Sequence, residues 1–219
     1  MKPDLPSSAA DRLDVALLGT FSVTLAGAAI PSERWPSLRS MHLIQLLALA
    51  ERHRLAREQV IDSLWPQLDP DAGAANLRKA VHHARQALGR QDCVVLHGGD
   101  VMLAPALDVC VDANVFEQRA RAALTSREAA ACGAAAAMYC GDLLPAARYE
   151  AWAEPARERL HSLQVALLRA AGDWEGLAER DPTDERAHRE LMGRELAAGN
   201  RAAAIRWYAR LRTALQREL

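Results

Sequence analysis

Hydrophobic and polar positions alternate along this chain with two different periods, and the change of period separates its parts. From Leu13 to Ile30, short runs of apolar and β-branched residues are broken by Gly19 and Gly27. That pattern predicts two or three short antiparallel strands with a turn at Ala26-Gly27. From about Ser37 to about His53, residues such as Leu38, Met41, Ile44, Leu47 and Leu49 give a broad apolar face at helical spacing, with Pro36 ahead and Arg52-His53-Arg54 behind. A shorter helix is expected over Arg57 to Trp65, stopped by Pro66, with Trp65 as a core plug. Pro66 to Gly73, with two prolines and two aspartates, reads as a loop. Leu77, Val81, Ala84 and Leu88 then form the buried stripe of a third helix over about 74–88. After it, the run Cys93 to Pro105 reads as two short strands around a Gly98-Gly99 turn.

The second half is patterned as helices throughout. Phe116, Ala120 and Leu124 recur at four-residue spacing, and Ala129 to Tyr139 is a small-residue helix able to approach its neighbour closely. Tyr149 to Ala170 reads as one long helical segment that Pro155 kinks or restarts near its beginning. Asp184 to Ala198 and Arg201 to Arg217 form an antiparallel pair with Ala198-Gly199-Asn200 as the tight turn. The first residues, 1–12, hold prolines and serines without periodicity and read as a disordered tail.

Composition adds one feature to this picture. The chain of 219 residues carries a net charge of -1, so it exerts no long-range pull on a polyanion, and any attraction to nucleic acid must come from a local patch. Such a patch lies on the third helix. From Ala72 to Gln91 there is no Asp or Glu, while Arg78, Lys79, Arg85 and Arg90 are positive and His82 and His83 titratable. The apolar stripe turns Arg78, Lys79, His82, Arg85 and Gln86 away from the core. A helix of that kind can enter a DNA groove, although a solvated basic face needs no ligand. Helix, helix, basic helix, hairpin is the order of a winged helix-turn-helix, whose third helix reads the major groove and whose hairpin reaches the neighbouring backbone or minor groove.

Other chemistry finds no support in the sequence. It contains no phosphate-binding G-x-x-x-x-G-K-[ST] loop, no G-x-G-x-x-G after a strand, no H-E-x-x-H and no G-x-S-x-G, so no enzyme is expected. Cys93, Cys110, Cys132 and Cys140 make no C-x-x-C pair, and His82-His83 lacks partners at metal-ligand spacing, so neither metal nor cofactor is expected. With no signal peptide and no apolar run able to span a bilayer, the expected setting is the cytoplasm with reduced thiols. Cys132 and Cys140 read as small packing residues, with a redox pair as the minor alternative.

Leu64-Trp65-Pro66, Asp69-Pro70-Asp71, Asn76-Leu77-Arg78 and Ala87-Leu88-Gly89 resemble the OmpR-type winged-helix domain of SARP-type transcriptional activators. Downstream, Val111-Asp112, Phe116-Glu117, Tyr139 to Leu144, Tyr149 to Trp152 and Arg157 to Leu160 resemble that family's second module, the bacterial transcriptional activator domain. Pro182 to His188 and Gly199 to Tyr208 are similar to a tetratricopeptide-type repeat, with a plain helical bundle propping the first domain as an equal alternative. The resemblance implies a mainly α chain with a small β component. A winged helix-turn-helix domain over 13–108 is followed over 109–219 by an all-α, tetratricopeptide-like domain.

The same resemblance implies a sequence-specific, DNA-binding transcription regulator, an activator that reads direct repeats of double-stranded DNA and contacts RNA polymerase. By the family pattern, Lys79, His83 and Arg85 fall at major-groove positions, Asn76 and Arg78 at backbone positions, and His82 and His97 complete the DNA-facing set. Gln67, Asp69 and Asp71 are the candidate polymerase contacts, with capping of the basic helix as the competing role for the aspartates. The alternative function is a non-catalytic protein-interaction adaptor that keeps the scaffold without useful DNA affinity. Two features favour that alternative: Ala84 and Gln86 isolate Arg85, and the wing tip offers His97 against an Asp100 expected to repel phosphate. The chain also stops near where relatives add a further helix, which leaves a homodimer, a shortened chain and the front of a longer protein as open readings.

Overall fold

The computed structural model describes residues 12–218, and the expected tail over 1–11 lies outside them. Arg12, assigned to that tail, already opens the first strand. Of the described residues, 12–115 together with 140–158 form one compact unit, and 116–139 together with 159–218 form a second.

In the first unit, β1 (Arg12–Ala16), β2 (Ser22–Leu25) and β3 (Ala28–Ala29) form the expected N-terminal meander, with the turn at Ala26-Gly27. Leu13, Val15, Val23 and Leu25 alternate inward and are buried. α1 (Leu38–Leu49) starts at Ser37, whose side chain accepts a hydrogen bond from the Ser40 backbone. It ends four residues before the expected His53. Arg52 and His53 both adopt left-handed backbone (φ 53° and 56°), and the His53 ring caps the helix end through its Nδ1, 3.1 Å from the Ala48 carbonyl. The chain so reversed runs into β4 (Arg54–Ala56), a strand too short for the sequence pattern to reveal.

α2 (Arg57–Leu64) ends as expected, with Trp65 buried behind it. α3 (Pro70–Leu88) begins earlier than expected. Asp69 Oδ1 accepts from the backbone N–H groups of Asp71 and Ala72, and Pro70 occupies the first helical position, where its missing N–H costs nothing. The supposed loop is thereby reduced to Pro66–Asp69. α1, α2 and α3 pack on one another. Gly73 sits where a Cβ would lie 2.4 Å from Ile61 Cγ2, so only glycine lets α3 approach α2 this closely.

β5 (Val94–His97) and β6 (Asp100–Leu103) form the hairpin, closed by Gly98 and Gly99 at φ 60° and 90°, as a two-residue turn with positive φ at both positions requires. β4 pairs with β6, so the hairpin is a three-stranded sheet in the order β4-β6-β5. A further strand, β7 (Asp108–Val111), runs parallel to β1 and completes a four-stranded sheet, β3-β2-β1-β7. β7 straddles the domain boundary expected at 108/109. α4 (Asp112–Ser126) follows at once, and the Asp112 carboxylate accepts from the backbone N–H groups of Leu17 and Leu18 at 2.7 and 3.1 Å. Residues 140–158 add an extended bridge from Leu143 to Leu18 and two short 3-10 turns, Pro145–Ala147 and Ala151–Ala153.

The second unit is helical. Phe116 of α4 is fully buried with its ring edge-on to Tyr139, 5.1 Å away. α5 (Ala129–Ala136) ends three residues short of Tyr139 in tightened turns, and Gly133 leaves room for Ala171. α6 (Glu154–Ala171) begins five residues later than the expected Tyr149, with Pro155 at its start rather than within it. α7 (Trp174–Arg180) is short, as the early Asp181-Pro182 implies. α8 (Glu185–Ala197) and α9 (Arg201–Glu218) form the expected pair around Gly199 at φ 79°. The chain is mainly α with a small β component, a winged helix joined to tetratricopeptide-like helices.

Candidate nucleic-acid interface

α3 is buried along Gly73, Leu77, Ala80, Val81, Ala84, Ala87 and Leu88. This leaves Arg78, Lys79, His82 and Gln86 exposed on the opposite face, while Asn76, His83 and Arg85 are half-buried at its margins. Two of those marginal side chains are engaged within the protein. Arg85 Nε donates to the Val94 carbonyl at 2.8 Å, tying α3 to the first strand of the hairpin. His83 Nδ1 lies 3.2 Å from the hydroxyl of Ser37, the residue that caps α1. Both anchor the helix as well as flanking its outer face.

The hairpin stands beside α3. Arg78 and Leu77 line a crevice of about 250 Å³ together with Arg57 and the turn residues His97, Gly98 and Gly99. The Arg57 backbone N–H donates to the Gly99 carbonyl at 2.9 Å, which fixes the turn against the start of α2. Asp100 is ion-paired with Arg54, so the repulsion expected at the wing tip is answered by a cation from the neighbouring strand. Arg54 and Arg57 carry no local signal for this role, because the strand that holds Arg54 is only three residues long, pairs across the sheet and leads directly into α2, which Arg57 opens. The cationic surface therefore comprises Arg78 and Lys79 on α3 and Arg57 beside the turn, with Arg54 paired to Asp100 and His82 and His97 alongside.

Gln67, Asp69 and Asp71 are all exposed around the α3 N-terminus. Asp69 is occupied with capping, so Gln67 and Asp71 are the two of this set whose side chains face outward without that duty.

Among the described residues no His, Cys, Asp and Glu cluster could hold a metal ion, and no helix is long and apolar enough to cross a membrane. Cys93 is buried and its thiol is pushed up to about 11 by burial and by Asp92, with Arg90 opposing, which makes it a poor nucleophile at neutral pH. Cys132 is buried with its Sγ 3.5 Å from the Ala123 carbonyl, whereas Cys140 is exposed.

Residues 111–219 match the family model described as bacterial transcriptional activator domain. A solved structure, Mycobacterium tuberculosis EmbR in complex with a low-affinity phosphopeptide, superposes with a TM-score of 0.66 at 19% identity over 95% of this chain. The chain spans 61% of that EmbR chain. A search of curated protein sequences returned no match. A winged helix over the first part and this family match over the second agree with the motifs that pointed to both modules. The second part of the chain, residues 111–219, is thus similar to the bacterial transcriptional activator domain, and the chain shares its fold with EmbR.

Proposed function

We propose that this protein is a SARP-type transcription regulator, a sequence-specific DNA-binding activator that reads direct repeats with the outer face of α3. The observation that carries the proposal is the juxtaposition of exposed Arg78 and Lys79 with a hairpin whose flank supplies Arg54 and Arg57. In the major groove, Arg78, Lys79 and His82 have the reach to meet base edges, since Arg pairs two donors with guanine while Lys and His contact bases or phosphates. Asn76 serves the backbone at the helix start. His83 and Arg85 contribute from the margin while holding the helix, and His97 meets the flanking phosphates. Gln67 and Asp71, with Asp69 behind them, are the proposed surface for RNA polymerase. The setting is the cytoplasm, head-to-tail copies on the repeats supply any dimer, and no catalytic step is involved.

The adaptor reading is favoured by the net charge of -1 and by Arg85, isolated between Ala84 and Gln86 and engaged with the Val94 carbonyl. Selection from a random duplex library at two salt concentrations separates the two. Enrichment of a repeated motif by the parent chain, lost in the Arg78→Ala, Lys79→Ala double variant, is the expected result. Folded protein that enriches nothing at low salt would leave the adaptor standing.

A further inference from the structure

The first unit contains a cavity of about 450 Å³, beside α1, that the proposed DNA-facing surface does not use. Its walls are Phe21 from the β1-β2 connection, Trp35, the α1 residues Leu38, Met41 and Gln45, and the turn Leu144–Ala147. The Phe21 and Trp35 rings lie 5.8 Å apart at 56° and form an aromatic side. Leu38, at the opening, is 60% exposed, an unusual state for a large apolar side chain on a core helix. Among the described residues lining the cavity, none carries a fixed charge. The imidazole of His42 is the sole titratable group there, and its Nδ1 is turned toward Arg39 and Glu150, at 3.3 and 3.5 Å.

One polar atom in this wall is unsatisfied. Gln45 is 3% exposed, and its Oε1 accepts no hydrogen bond from any described residue. Buried side-chain oxygens nearly always have a donor, so an orphan in the wall of an apolar cavity marks where a ligand's donor belongs. The opposite wall is held in a costly conformation. Leu144 has φ 49° and ψ 61°, backbone that a leucine avoids, and is kept there by its N–H bond to the Leu17 carbonyl at 2.9 Å and by Gly19 N–H to the Asp142 carbonyl at 2.9 Å. The cavity is thus built into the fold rather than left by a loose loop.

We propose that this cavity is an effector site for a small, neutral, mainly aromatic molecule carrying one hydrogen-bond donor, which lies against the wall formed by the Phe21–Trp35 ring pair and donates to Gln45 Oε1. Neutrality follows from the uncharged walls, the aromatic body from the Phe21–Trp35 ring pair in the wall, and the donor from the orphan oxygen. The volume falls within the range of small-molecule sites and accommodates two or three fused rings. Such a ligand would touch Leu38, next to the Ser37 that holds His83 of α3, which places it one residue from the reading helix.

The test uses 1-naphthol as the probe and naphthalene as its donor-free counterpart, titrated against the full chain and followed by two-dimensional NMR. Saturable binding of 1-naphthol that shifts the Gln45 side-chain amide is expected, about fivefold tighter than naphthalene, as one net hydrogen bond provides. In Gln45→Leu the two probes should bind alike. Ala146→Trp, placed on an exposed turn where folding is not at stake, should fill the opening and abolish both. Absence of saturable binding, equal affinity of both probes for the parent chain, or binding unaffected by Ala146→Trp would overturn the proposal. No DNA is present in this assay, so its outcome and that of the duplex selection are independent.

Discussion

Two helices of this chain advertise positive charge, and the one with more of it is the poorer candidate for a DNA groove. α9 carries Arg201, Arg206, Arg210, Arg212 and Arg217, whereas α3 carries Arg78, Lys79 and Arg85. The difference lies in what the opposite face does. α3 is buried along its length on α1 and α2, which makes its outward face rigid and sets it beside the hairpin. In α9 Ala204 is the one residue buried among the described side chains, and Ile205 and Tyr208 remain more than half exposed. Arg210 is spent on the ring of Trp207, its guanidinium 4.6 Å from the centroid. Charge count therefore does not define a reading helix. The proposed role of α3 rests instead on a fixed cationic face with the hairpin alongside.

The largest expected effect breaks or upholds this contrast directly. With the selected duplex at about 0.1 M salt, Arg78→Ala with Lys79→Ala should weaken binding by about 100-fold, as loss of two good contacts implies, and should lower the salt slope. Arg206→Ala with Arg212→Ala should change it by about twofold or less. A greater loss from the α9 pair, measured by fluorescence anisotropy, would reverse the assignment of roles.

Much of this comparison was legible in the sequence. The period of Leu77, Val81, Ala84 and Leu88 named the buried side of α3, and Gly98-Gly99 and Gly199 located both turns, because these are local properties of a few residues. What escaped depends on distant pairing. β7 is four residues whose partner, β1, lies almost a hundred positions earlier, and β4 follows a reversal made by Arg52 and His53 without any glycine. The consequence for the site was direct: Asp100 read as a repulsive wing residue, whereas β4 brings Arg54 to pair with it. Likewise His83 and Arg85 read as major-groove positions, and their bonds to Ser37 and Val94 emerge only once α1 and the hairpin are folded against α3. The orphan oxygen of Gln45 had no sequence signal, since it sits among core positions of an ordinary amphipathic helix.

The packing contrast makes a second prediction of opposite sign in the two regions. Gly73→Ala gains up to about 1 kcal/mol of helix propensity but drives a Cβ into Ile61, and overpacking of that kind costs about 1–3 kcal/mol. Net destabilisation is expected. Gly193 of α8, exposed with nothing within 4 Å of an added Cβ, should instead stabilise on Gly193→Ala by about 0.5–1 kcal/mol. Urea unfolding midpoints decide both, and a stabilised Gly73→Ala chain would show that α3 is not pressed against α2.

Helix starts give a finer comparison. Asp69 caps α3 from an exposed position, and Asp69→Ala should cost about 1 kcal/mol. Asp184 caps α8 with its carboxylate nearly buried, accepting from Ala187 at 2.8 Å and from Arg169 at 2.6 Å. Asp184→Ala should cost about 2 kcal/mol, because the charged partner is stranded as well. Equal losses in the two variants would argue that the Arg169 pair contributes nothing.

The smallest effect concerns the order in which the two units weaken as pH falls. Burial, with help from Arg39, pushes the His42 imidazole below its ordinary value of 6.5, against an opposing pull from Glu150. Between the lowered native value and 6.5 the unfolded chain binds a proton that the native chain refuses, so the contribution is fully present above that window and is lost as pH falls through it. Asp184 behaves in the acid range. Although burial raises its carboxyl, the bonds from the Ala187 backbone and Arg169 bring it below its ordinary 3.8, so its contribution is present above that value and is lost as pH drops through the depressed one. Hydrogen exchange followed residue by residue should therefore show protection of α1 and α3 falling once pH drops below 6.5, while α8 keeps its protection until pH falls below 3.8. His42→Phe, which keeps a ring against Trp152, should remove the first decline and leave the second. Simultaneous loss of protection in both units, unchanged by that substitution, would mean that His42 does not set the acid sensitivity of the helix on which α3 rests.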